Sequence, residues 1–471
     1  MSTQIILRVL ALRHRLRQRD RWTRRRLEAH QARELRLLRE HAYTRSPFYG
    51  NFHKGLSARP LQDLPILTKE MVMEHFDELV ADPAVRLDDV EAHLATLSGG
   101  DELFDGRYRV ASTSGSTGRR GLFLWDPGEW ATVLASYNRS FDWAGVGAGL
   151  THRTSMVVVS STTPWHQSAR VGASVHSPWV PTLRIDSGDP LEIIVDRLNG
   201  FQPRVLVAYA SMAHLLAEEQ LAGRLRISPG FVFGSSEVFT EQAKRRVEEA
   251  WGRKPFEVYA ATEPAGIASE CDLHRGMHLF EDLVITEMVD EKNRPVPPGV
   301  YGEKVLVTVL FSRTMPLIRY EMSDSVRPAS SPNCPCGRPF HLIDGIQGRA
   351  EDVLRFPSAS GGQVAVQPIV FHRVMDTVPA GGWQIAQGSD GLTVLLSGVR
   401  EGFADATLVD SLRRELATQG ALAPPVKVRR VQAIPRTTVG KAPLIKSDVR
   451  TSTLHQSRPC SDSPPRPGTN R

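Results

Sequence analysis

The chain has 471 residues, 41% of them hydrophobic, enough for a large core and more than one domain of ordinary size usually holds. It contains no run of about 18 apolar residues, its first residues show no small-residue cleavage site after a brief apolar run, and four cysteines are too few for a disulfide framework. A membrane span and a secretory leader are therefore not expected, and a globular protein of two or more domains in a reducing cytoplasm is.

The net charge of +6 is unevenly placed. Residues 1–50 carry thirteen arginines against four acids, a local +9, so the rest of the chain sums to −3. Val9, Leu12 and Leu16, then Leu27, Leu35 and Leu38, recur at helical spacing and predict an arginine-rich helical arm over 1–45 that packs on the body through its apolar stripe. Contact with an anionic membrane or a nucleic acid is the competing reading. Trp22 and Tyr43 are the only aromatic residues among the arginines, which disfavours single-strand binding, and no nucleic-acid partner is expected.

Pro47 ends the arm, because proline disfavours a helical residue before it. Thr68 stands where it would cap a helix over 69–79. Residues 106–110 and 122–125 then read as two short strands around Ala111–Gly121, a loop with glycines at 115, 118 and 121, five hydroxyls (Ser112, Thr113, Ser114, Ser116, Thr117) and two arginines. Such a loop suits a polyphosphate. It lacks the Lys-Ser/Thr pair of the common nucleotide-binding loop, and a flexible surface loop is the alternative. Trp130, Leu134, Tyr137 and Phe141 predict an amphipathic helix over 128–143, mostly core-facing, whose far end is free to line a cavity.

Apolar strands over 155–159, 205–209 and 230–234, with helices from 211 and over 240–251, imply parallel or mixed sheets with covering helices. The strand 255–259 runs into Ala260-Ala261-Thr262-Glu263, which puts a hydroxyl and a carboxylate at a sheet's carboxyl edge, where α/β proteins bind ligands. Asp324, just past another strand, is suited to accept from two vicinal ribose hydroxyls. Gly348–Asp352 and Ile434–Lys441 complete the set.

In this order and at these separations the stretches resemble the adenylate-forming acyl-ligase superfamily, and within it the phenylacetate-CoA ligase branch, over about residues 40–447. The resemblance implies an α/β fold: a large N-terminal domain of mixed sheets with covering helices over 46–347, and a small α+β C-terminal lid over 348–450 turning on a hinge near Gly348–Asp352. A disordered Pro/Ser-rich tail over 451–471 follows. It implies that Ser112, Ser114, Gly115, Ser116, Thr117 and Gly118 hold ATP phosphates, that Tyr259, Thr262 and Glu263 match a Tyr-Gly-x-Thr-Glu motif with Thr262 on phosphate and Glu263 on Mg²⁺, and that Asp324 binds ribose. Arg349 belongs to the same nucleotide set, and Lys441 bridges carboxylate and α-phosphate. Ala260 stands where the family has Gly, and Glu321-Met322-Ser323 replaces Arg-Thr-Gly before Asp324. The activity implied is AMP-forming activation of a small-molecule carboxylic acid, aromatic by analogy, and transfer to coenzyme A. Transfer to an amine or a carrier-protein thiol, and a non-catalytic nucleotide-binding protein, are the alternatives, and the oligomeric state is open.

Three cysteines suggest a separate feature. Cys334-Pro335-Cys336-Gly337 is a tight turn and Cys271-Asp272-Leu273-His274 a second knuckle, so a structural Cys3His zinc site over Cys271, His274, Cys334 and Cys336 is expected if they meet, with His278 as rival ligand and buried free thiols as the alternative. The resemblance supports zinc, because some members of that branch carry such a site. Cys460 falls in the tail.

Overall fold

The computed structural model describes residues 3–113, 120–147, 153–174, 177–349, 353–358, 361–366, 368–375, 377–435 and 442–447. They form a mixed α/β protein with one large sheet and a smaller C-terminal one. The large sheet has nine strands in the order Asp324–Pro328, Leu342–Arg349, Met277–Leu279, Ala265–Glu270, Phe256–Ala261, Phe231–Ser235, Val205–Tyr209, Met156–Ser160 and Thr182–Asp186. The last five run parallel and the others pair antiparallel. One face of the parallel part is close-packed: Val157, Val159, Leu206 and Ala208 are all but fully buried in a cluster with the helices Leu191–Phe201, Ala210–Leu221 and Glu241–Trp251. Over the other face lies the helix Pro127–Trp143, started by a capping box between Asp126 and Glu129.

Three local expectations change. The helix expected over 69–79 is two, Lys69–Glu74 and Phe76–Leu79, because His75 leaves helical geometry and lets Phe76 and Leu79 turn inward beside Val72 and Met73. The strand expected over 106–110 runs from Arg109 to Ser112, since Asp105 and Gly106 both take positive φ (55° and 63°) and close a tight turn first. The arm is two helices, Thr3–Arg19 and Arg24–Arg45, the second capped by Thr23.

The arm packs on the body through the expected stripe, with Leu16, Leu27 and Leu38 buried. Much of its charge is paired with the body. Arg13 and Arg17 meet Asp142, Arg19 meets Asp282 at 3.2 Å, and Arg24 meets Glu281 at 2.6 Å. In return the body's buried Arg139 reaches Asp20 of the arm at 3.0 Å and Asp282 at 2.6 Å, while its guanidinium lies 4.9–5.3 Å from the ring centres of Trp143, Phe280 and Phe340.

After Arg349 the chain leaves the large sheet and from Leu354 builds a separate core. There a four-stranded sheet, ordered Val426–Arg430, Gly391–Ser397, Gly382–Gly388 and Ile445–Ser447, packs with the helices Pro368–Met375 and Asp405–Thr418. Polar bonds tie this unit to the large one. Gln242 donates to the carbonyls of Val378 (3.1 Å) and Ala380 (3.2 Å), His214 bonds the carbonyl of Gly381, and the Ala442 N–H donates to Glu237 (2.9 Å). The tail over 451–471 lies outside the described residues.

Candidate functional site

The carboxyl ends of the parallel strands open into a cavity of about 660 Å³, lined there by Ser160, Tyr209, Ser235 and Ala260. The strand Phe256–Ala261 continues into no helix. It hairpins into Ala265–Glu270 through Thr262-Glu263-Pro264, with Ala265 at φ 62°. A bulge at Tyr259/Ala260 breaks the alternation of faces, and the consecutive Ala260 and Ala261 both line the cavity, followed by Thr262 and Glu263.

Several polar groups there are held by others. Tyr137 donates to Gln167 Oε1 (2.7 Å), and Gln167 Nε2 donates to the Thr262 carbonyl (2.8 Å). Burial pushes the Tyr137 phenol above its ordinary value, so it remains a donor at neutral pH. Tyr320 donates to Glu263 Oε1 (3.0 Å), and Tyr259 donates to Asp324 Oδ2 (2.8 Å). Asp324 follows the strand Tyr320–Met322 of a three-stranded sheet and opens the edge strand of the large one, so it sits where the two sheets join.

The glycine-rich loop hangs from an antiparallel hairpin of Arg109–Ser112 and Leu122–Trp125, as the flanking strands lead one to expect. Its feet are clamped: Thr113 N–H donates to the Gly121 carbonyl and Gly121 N–H to Thr113 Oγ1, both at 2.9 Å. Ser112 and Thr113 line the cavity, and Ser112 Oγ is buried with no hydrogen-bond partner among the described residues. Ser114, Gly115, Ser116, Thr117 and Gly118 lie outside the described residues, as does Lys441. Of Arg349 the backbone is described, opposite Asp324 in the sheet register.

The cavity thus gathers Ser112, Thr262, Glu263 and Asp324, with Tyr259 acting through Asp324. Sequence reasoning missed Gln167 and Tyr320, which hold Thr262 and Glu263. Nothing local marks either. It also missed Ile6, Val9, Leu10 and Arg13 of the arm, which line the same cavity.

About the cysteines the expectation needs a correction. The atoms that converge, all within 4.8 Å of one another, belong to Cys271, His278, Cys334 and Cys336. His274 is not among them: at φ 47° its ring turns back to Glu270 (3.3 Å) and packs on Phe256. The reason is register. His278 pairs directly with Ser269, so the two share a face, and Cys271, two residues beyond Ser269, continues that face. Cys271 and Cys334 sulfurs lie 3.8 Å apart, which matches the edge of a tetrahedron with metal–sulfur bonds of about 2.3 Å. His278 Nε2 lies 3.3 Å from Cys336 Sγ, and Nδ1 faces the Phe340 carbonyl at 3.4 Å, which sets the tautomer that leaves Nε2 free to ligate. Burial pushes the Cys271 thiol up to about 12, so a bound metal would displace its proton.

No protein-family model matches the chain. A stretch of 175 residues is 31% identical to phenylacetate-coenzyme A ligase of Thermus thermophilus, covering 36% of this chain and 39% of that one. Another of 279 residues is 23% identical to protein CapK of Staphylococcus aureus, covering 58% and 55%. The chain therefore spans less than two thirds of the length of the curated relatives it matches. Among solved structures, 2-hydroxyisobutyryl-CoA ligase in the postadenylation state, in complex with 2-HIB-AMP, superposes with a TM-score of 0.69 at 20% identity over 91% of each chain. The same ligase in the thioesterification state, with 2-HIB-AMP and CoA, gives 0.55 at 20% identity over 92% of each. At such identity these likenesses establish the fold. No helix among the described residues is long and apolar enough to cross a membrane.

Proposed function

We propose that the chain, which shares the fold of a CoA ligase solved with an acyl-adenylate, is itself an adenylate-forming CoA ligase: it activates a carboxylic acid with ATP, releasing pyrophosphate and forming an acyl-adenylate, and then passes the acyl group to the thiol of coenzyme A. The observation that carries this reading is the convergence of the glycine-rich loop's foot, Thr262-Glu263 and Asp324 on one cavity.

The first step brings a carboxylate against the α-phosphorus of ATP, two anions that repel unless charge is neutralised where they meet. The Ser112 hydroxyl, which has no hydrogen-bond partner among the described residues, would donate to phosphate oxygens together with Ser114 to Gly118, and the Thr262 hydroxyl would join them. Glu263, a carboxylate in the cavity wall held by Tyr320, is a hard oxygen ligand suited to Mg²⁺, which when bound supplies positive charge to the phosphates. Asp324, oriented by Tyr259, accepts from the ribose hydroxyls, with Arg349 across the ladder from it. Lys441 brings its ammonium to the carboxylate and α-phosphate, one peptide bond before Ala442, whose N–H is held by Glu237. Lys441→Ala is expected to cut acid-dependent pyrophosphate release by about 10²–10³-fold, while acyl transfer from supplied acyl-adenylate to coenzyme A survives. Undiminished pyrophosphate release by the variant removes Lys441 from the reaction.

The Cys3His cluster is proposed to hold zinc, with four protein ligands and no part in the chemistry, joining the turn after Glu270 to the one at Cys334–Cys336. Metal analysis of protein purified without chelator should find close to one zinc per chain. His278→Ala and Cys334→Ser should lose it and melt several degrees lower, whereas His274→Ala should keep it. Zinc retained in His278→Ala and lost in His274→Ala would reverse the assignment.

A further inference from the structure

On this ligase reading, we infer that the acid it activates has an elongated apolar body, which lies along the strands from Thr262-Glu263 to the first arm helix, so that the arm is part of the acyl site. The two faces of the parallel sheet differ. On one, Val157, Val159, Leu206 and Ala208 are 0–1% exposed. On the other, Val205 and Phe233 are buried too, but Met156, Val158 and Val207 remain only half-buried, although the helix Pro127–Trp143 covers that face. Interiors are close-packed, so apolar side chains in central strands under helices stay uncovered only where space has been left for something else. That space is the cavity.

The cavity runs the whole length of the strand Met156–Ser160, since Ser160, Val158 and Met156 all line it, a span of about 13 Å at the rise of a β-strand. At the Ser160 end it is polar and holds Thr262, Glu263 and Asp324. Beyond, it passes between Val207 and Val158 on the sheet and Leu134 and Phe141 on the long helix, and its remaining wall includes Ile6, Val9 and Leu10 of the arm. The arm helix stays there because Arg13 and Arg17 grip Asp142 at the end of the long helix. A phenylacetate-sized acid, one ring and one methylene, reaches only part of this length. A longer aliphatic or aryl-aliphatic acid spans it, with its body against Val158, Val207 and Phe141.

The experiment measures pyrophosphate release from the full-length protein with ATP, Mg²⁺ and a series of straight-chain carboxylates from acetate upward, beside phenylacetate. A polyene fatty acid whose fluorescence reports binding without ATP gives a second readout. We expect kcat/KM to rise by about fourfold per methylene until the cavity is filled. Val158→Phe, which blocks the middle, should lower the preference for long over short acids by tenfold or more. Leu10→Asp, on an exposed stretch of the arm, should raise KM for the longest acids alone. Best activity with phenylacetate or shorter acids, or a length profile unmoved by both variants, overturns the inference and leaves the ligase reading standing. No release with any acid overturns the ligase reading; the elongated apolar site survives that result only if Val158→Phe abolishes polyene binding, and falls with it otherwise.

Discussion

Glu263→Gln should retain less than about one hundredth of the parent's acid-dependent turnover at any Mg²⁺ concentration, with a melting temperature near the parent's. The carboxamide keeps the shape of the side chain and an oxygen for the Tyr320 hydroxyl, 3.0 Å away, and removes only the charge. Glu263 sits in the three-residue turn between two strands rather than in the core, so little packing depends on it. Its loss would fall where negative charge collects, which a neutral ligand cannot offset. Turnover measured against Mg²⁺, with a melt on the same preparation, separates the outcomes. Normal turnover, or a melting temperature far below the parent's, would assign Glu263 to structure.

The second large effect concerns the arm. Asp282→Ala should destabilise the protein by about 3–5 kcal/mol, because it strands the fully buried Arg139 with one fewer counter-charge and deprives Arg19 of its partner. Burial works to raise the Asp282 carboxyl, but the guanidiniums of Arg139 and Arg19 outweigh it and hold the group below the ordinary carboxylate range. A depressed folded-state value means that this contribution is present above that range and is lost as pH falls through the folded value. Denaturant melts at neutral pH, with limited proteolysis of the arm, provide the check. Replacing Arg139 and Asp282 together with apolar residues should cost less than the sum of the two single changes, and additivity would show that the pair does not act as a unit.

The fold was readable from the chain wherever the decisive interactions are local. The helix Pro127–Trp143 combines an aromatic stripe with its own capping box, and Val205–Tyr209 falls at the residues that its apolar run marks out. Thr262, Glu263 and Asp324 were legible because they follow strands, and strand ends set the rim of an α/β site. His278 was not. Spacing favours His274 after Cys271, and only the pairing of His278 with Ser269 selects the other ring, a fact of register that no window of sequence contains. The arm's stripe foretold that it packs, yet periodicity names a buried face without naming what it meets. Part of it meets the cavity. Gln167 and Tyr320 escaped for the same reason, since their value lies in residues 95 and 57 positions away.

The four bonds found among the described residues between the C-terminal unit and the large one share a property. On the C-terminal side each ends on the main chain, at the carbonyls of Val378, Ala380 and Gly381 and the N–H of Ala442. Together they contribute about 2–6 kcal/mol, and that amount does not depend on which side chains the C-terminal unit carries at those positions. Substitutions at 378–381 that preserve the backbone path are expected to leave these four bonds intact. The receiving half, His214, Gln242 and Glu237, must be kept.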